Sequence, residues 1–145
     1  MKRRPIWLSA GLLYLVAVNA NVGLWATLAP RSFYDDFPGG GHSWVSVDGP
    51  FNEHLVRDVG AWSLGMAVVV AAALWTLSRP LVITGGAAMT VLALPHAIYH
   101  SRHSDMIGST FDEAASLGGL YLAAAVGVAV AIGGLRRDRA PVGDR

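Results

Sequence analysis

The chain has no cysteine and little charge: only 14% of its 145 residues are Asp, Glu, Lys or Arg. The missing cysteine excludes disulfides, a thiolate nucleophile and cysteine-ligated clusters. The shortage of charge says more, because a soluble domain usually carries about 25% charged residues. Here the apolar residues stand in long blocks rather than in alternating or striped patterns. Four blocks, over 6–29, 55–77, 81–99 and 117–135, are long enough to span a membrane. About 20 apolar residues, rising about 1.5 Å each, cross a hydrocarbon layer of about 30 Å. Lipid offers no water to free backbone groups, so such blocks must be helical, even over the valine-rich stretch MAVVVAAA at 66–73.

The expected fold is therefore all-α, a polytopic four-helix membrane bundle forming a single integral membrane domain. Its helices are expected at about 6–29, 50–78, 81–103 and 110–135, with a structured outer loop over 30–49 and a frayed polar tail over 136–145. The last two helices do not repeat the first two beyond shared hydropathy, and no pair of broken helices marks a transporter core.

The sparse charges are unevenly placed. Eight of the eleven basic residues lie in the N-terminal tip (Lys2, Arg3, Arg4), the second connection (Arg79) and the tail (Arg136, Arg137, Arg139, Arg145). Short basic flanks stay on the cytoplasmic side, which places both termini inside a cell membrane. Eight of the ten acidic residues and all five histidines fall in segments assigned to the opposite, outer face. Met1–Ala20 has the basic start and small-residue end of a signal peptide. Against that, the apolar run continues through Gly23, Leu24, Trp25 and Leu28, long enough for a span.

The connection over 30–54 is the only long one, and Phe33, Tyr34, Phe37, Trp44 and Phe51 make it too aromatic for a tether. Loops of that length are often functional, and this one is expected to fold back as a cap. Gly39–Gly41 reads as a flexible turn; without a following phosphate-loop lysine it is no nucleotide signature. Asp48 is the expected cap of the second span, with Pro50 in its first turn. Thr110 and Glu113 form the expected capping box of the fourth. Pro95 should bend or loosen the third one turn before its histidines.

Two stretches could carry chemistry. In Asn52–Gly60 a helix pairs Glu53 with Arg57 and His54 with Asp58, and Asp58 lies inside an apolar block, where an unpaired charge is costly. In Pro95–His103 the residues His96, His100 and His103 make a stripe at i, i+4 and i+7, followed by Asp105 and then Asp112. Imidazoles one turn apart with a nearby carboxylate suit a transition metal ion such as zinc, iron or copper. The candidate ligands are His96, His100, His103, His54, Asp58 and Asp112, with Asn19, Asn21, Glu53 and Arg57 as a surrounding polar network. The segment His-Ala-Ile-Tyr-His lacks the glutamate of zinc peptidases, and five histidines are too few for a desaturase-type di-iron site. Haem between two histidines, a proton relay through Asp58 and a purely structural plug tying the helix ends are the other readings of the same residues.

The stretches Asn52-Glu-His-Leu-Val-Arg-Asp-Val-Gly-Ala61 and His96-Ala-Ile-Tyr-His100, with the size and four spans, resemble small bacterial membrane proteins grouped as DoxX-like. The loop opening Pro30-Arg-Ser-Phe-Tyr-Asp-Asp-Phe-Pro38 is similar to that of actinobacterial proteins of this kind. The resemblance implies an accessory or redox-associated membrane component and carries over no catalytic residue. The expected function is thus a membrane protein with an outward-facing His/carboxylate cluster read as a metal site. The alternatives are a structural or partner-binding subunit and a proton-coupled transporter of small solutes. Expected contacts are membrane lipid and a membrane protein partner or second copy. Nucleic acid is not expected, since the few basic residues sit where topology needs them.

Overall fold

The computed structural model describes residues 5–103 and 108–136. The basic N-terminal tip, Asp105 and most of the polar tail lie outside them. Among the described residues run five α-helices: α1 (Ile6–Leu28), α2 (Pro30–Asp36), α3 (Glu53–Thr76), α4 (Arg79–Arg102) and α5 (Thr110–Leu135). Four of them, α1, α3, α4 and α5, are long and apolar enough to cross a membrane. Between 22% and 33% of each apolar stretch is buried against the other helices. The remainder, including Leu13, Leu24, Val68, Val91 and Leu122, faces outward as an apolar surface suited to lipid.

The helices pack chiefly as two close pairs, α1 with α3 and α4 with α5. Both pairs close on glycine, as membrane helices do when small residues let backbones approach. A Cβ on Gly60 of α3 would sit 2.8 Å from the Thr27 amide nitrogen, and one on Gly23 of α1 would sit 2.9 Å from that of Leu64. In the other pair, a Cβ on Gly86 would meet the Gly127 carbonyl oxygen at 2.7 Å. Leu8, Leu12 and Leu15 of α1 join Val70, Ala73, Val82, Met89 and Val130 in one core that ties the pairs together. Its Asn19 is buried and donates to the Leu15 carbonyl at 2.8 Å and to Met89 Sδ of α4 at 3.2 Å.

α3 turns into α4 through Leu77 and Ser78, where Leu77 takes a left-handed conformation with φ of 49°. The helical trace of α4 continues through Pro95. Two caps differ from expectation. α3 begins after Asn52, whose side chain accepts from the Leu55 amide at 3.1 Å, while Asp48 sits in a 3-10 turn, Ser46–Asp48, within the loop. α5 is capped by Ser109 with Asp112, one residue ahead of the Thr110–Glu113 box: the Asp112 amide donates to Ser109 Oγ at 3.1 Å. Asparagine and serine cap as well as aspartate and threonine, and at α3 the loop holds Asp48 elsewhere.

The long connection is structured. α2 leads into a two-residue hairpin, β1 (Pro38–Gly39) against β2 (His42–Ser43). Its turn residues Gly40 and Gly41 have φ of 68° and 85°, the doubly positive pattern of a type I′ turn that glycine adopts without strain. The glycine run expected to be flexible is thus a tight turn.

Candidate functional site

α2, the hairpin and the 3-10 turn form a cap over the end of the bundle where α1 stops and α5 starts. Its interior is aromatic. Phe33 packs against Phe37 with tilted rings whose centroids lie 4.8 Å apart, and Trp25 of α1 meets both edge-on at 6.0 Å. Phe37 then touches Trp44 at 6.1 Å, Trp44 touches His42 at 6.5 Å, and His42 touches Phe111 of α5 at 5.9 Å. These rings make a continuous path from α1 to α5. The rim is polar. Arg31 bonds Asp35 at 2.6 and 2.9 Å and lies over the Tyr34 and Phe51 rings. The hydrogen bond and charge of Asp35 raise the Arg31 guanidinium above its ordinary value. Tyr34 donates to the Gly49 carbonyl at 2.6 Å, fixing the far end of the loop.

Asp112 is where the cap meets the bundle. Trp44 Nε1 donates to its Oδ1 at 2.7 Å, and Ser109 Oγ donates to its Oδ2 at 2.6 Å. His42 Nδ1 lies 2.6 Å from Oδ1; an ionised carboxylate only accepts, so the ring donates there. Its side chain is 19% exposed, and the three donors fill much of its accepting capacity. A second contact joins the loop to α4: Asp48 Oδ2 lies 3.8 Å from His100 Nε2, beyond a direct hydrogen bond but within charge-pair range for a protonated ring.

The stripe on α4 divides. His96 and His100 stack with ring centroids 4.7 Å apart. His103 lies just past the regular helix, with its ring against Tyr99 at 4.3 Å and Nδ1 2.8 Å from the Tyr99 carbonyl oxygen. On α3 the two expected pairs form: Arg57 meets Glu53 at 2.8 Å, and His54 Nε2 lies 3.4 Å from Asp58 Oδ2. Arg57 also donates to the Thr27 carbonyl of α1. Asn19 is held by Leu15 and Met89 in the bundle, and Asn21 is exposed.

The six candidate ligands are therefore held in separate places: His54 and Asp58 on α3, His96 and His100 on α4, His103 on Tyr99, and Asp112 under the cap. Among the described residues no three His, Asp or Glu side chains are grouped to hold an ion. Of the expected set, Asp112 is engaged by Trp44, His42 and Ser109, and His100 lies 3.8 Å from Asp48. Asp58, half exposed, lies on the same outward face of α3 as Ala61, Trp62, Gly65, Met66 and Val69.

Three residues of the cluster, His42, Trp44 and Asp48, were not singled out as site residues from the sequence. Their signal was compositional, the gathering of histidines and acids toward one face; their partners lie on helices distant in sequence. Compared with known proteins, the chain matches no family model, no curated protein and no solved structure.

Proposed function

We propose that this protein is a multi-pass component of the cell membrane, with both termini cytoplasmic and the cap facing outward. On this reading its His/carboxylate cluster is a structural latch, holding an aromatic cap that offers a polar rim to a partner protein. The protein acts as an accessory or partner-binding subunit, consistent with the role implied by its likeness to DoxX-like proteins. One observation carries the reading: the carboxylate of Asp112 receives Trp44 and His42 from the loop together with its own cap residue Ser109. A carboxylate engaged in that way positions a segment. It has little capacity left for a metal or a proton relay.

Elemental analysis of detergent-purified protein beside a His96→Ala/His100→Ala double variant tests the proposal. The latch account expects no stoichiometric metal dependent on these histidines, with a folded cap in both proteins. Near-stoichiometric metal lost in the double variant would overturn it and return the cluster to a ligand set.

A further inference from the structure

The cap touches the bundle through two carboxylates, and they are differently engaged. Asp112 receives three donors at hydrogen-bond distance. Asp48 stops 3.8 Å from His100 Nε2, beyond a direct hydrogen bond. Its place there is built by the loop. Tyr34 donates to the Gly49 carbonyl at 2.6 Å and reaches the Ser46 carbonyl at 3.4 Å, so both flanks of Asp48 are pinned. Gly49 itself takes a φ of 143°, a conformation that suits glycine. Asp48 is thus held opposite α4, while Asn52 caps α3.

The ring it meets is shielded. The side chain of His100 is 12% exposed and that of Asp48 33%, so solvent screens this pair less than Asp58 and its 88% exposed partner His54. On α4, His96 stacks on His100 at 4.7 Å, Tyr99 meets it edge-on at 5.4 Å, and Arg102 is exposed to solvent. On α3, Glu53 is held by Arg57 and Asp58 by His54. On α5, Asp112 is committed to the hairpin, and Glu113 lies in the first turn, where a helix N-terminus favours its charge. Among the described residues, the ion-pair contact of His100 is with Asp48. Histidine changes charge between about pH 5 and 8, while aspartate is ionised above about pH 4. Protonation therefore turns a contact without a hydrogen bond into a charge pair. The attraction is present while the ring is protonated and is lost as pH rises through the histidine range.

We propose that Asp48 and His100 form an acid-strengthened clasp, tightening the cap onto α4 when the medium on the cap's side is acidic and easing it near neutrality. The clasp rests on the reading of the cap as a latched segment and adds its regulation. Asp112 holds the hairpin, and Asp48 sets how firmly the following turn closes on α4.

The test is amide hydrogen exchange of full-length protein in zwitterionic nanodiscs at about pH 5.5 and about pH 8, each rate divided by that of an unstructured peptide at the same pH. Protection over 45–50 is expected to be about fivefold higher in acid, the upper end for a partly exposed ion pair. Asp48→Asn, in a half-exposed turn, should abolish that difference, and so should His100→Gln. His96→Phe keeps an aromatic ring beside His100 and should retain it. His42→Gln removes the histidine that faces Asp112 and should also retain it over 45–50. Equal protection at the two pH values in wild type, a response that survives Asp48→Asn, or one lost in His42→Gln would overturn the clasp. Failure of the latch reads differently: Asp112→Asn would leave 38–44 as protected as in wild type at both pH values.

Discussion

Trp44 Nε1 and Asp112 Oδ1 lie 2.7 Å apart although 68 residues separate them in the chain. That bond joins the hairpin of the loop to the first turn of α5. It also explains why the aromatic residues between them are ordered. Phe37 packs on Trp25 and Trp44 packs on Phe37, while the Trp44 indole N–H, which would be costly to bury unpaired, finds a charged acceptor.

The glycine crossing of α4 and α5 should tolerate no side chain. Gly86→Leu would drive a Cβ against the Gly127 carbonyl and the Ala131 backbone, so the pair must separate or unwind. Overpacking of this kind costs about 1–3 kcal/mol and more when backbone is the obstacle. Gly118→Leu on the same helix pair meets nothing within 4 Å and should leave stability nearly unchanged. Thermal melts in one detergent check this: Tm should fall in the first variant and hold in the second.

Thr27 Oγ1 is buried with no hydrogen-bond partner among the described residues. Removing a polar atom from such a place should help, because its desolvation is uncompensated at about 1–3 kcal/mol. Thr27→Val is therefore expected to melt at the same temperature as wild type or above it. A drop of several degrees would show that the hydroxyl is satisfied.

Because the chain has no cysteine, its orientation is open to single-cysteine labelling. Pro50→Cys, in the exposed loop, should react with a membrane-impermeant maleimide in intact cells. Ser78→Cys, in the turn between α3 and α4, should react only after lysis. The reverse pattern would place the cap inside and overturn the orientation.

The long helices were legible because lipid leaves the backbone one choice: 6–29 became Ile6–Leu28, and the other three ended within a few residues of expectation. The local pairs Glu53–Arg57 and His54–Asp58 were legible for a similar reason, since one helical turn fixes them. The DoxX-like resemblance rests on the same stretches and remains part of the proposal. The cap was legible only as an aromatic loop. Its hairpin register depends on two glycines at positive φ, and its latch depends on which helix ends lie beneath it. The capping residues show the same limit. Asp48 and Asn52 both suit the start of α3, and the choice falls to Asn52 with Asp48 placed opposite His100. The histidine stripe was a correct spacing, but His103 passes the end of regular helix and folds onto Tyr99.

Amide hydrogen exchange across 38–52 tests the latch most directly, measured on wild type, Trp44→Phe, Asp112→Asn and the double variant in the same nanodiscs. The account predicts that either single change speeds exchange in this segment by about tenfold, roughly the loss of one charge-assisted hydrogen bond. It further predicts that the double variant exchanges more slowly than the product of the two effects, because both weaken the Trp44–Asp112 bond. Unchanged protection in Asp112→Asn, or two effects that simply multiply, would contradict a cap held by Asp112.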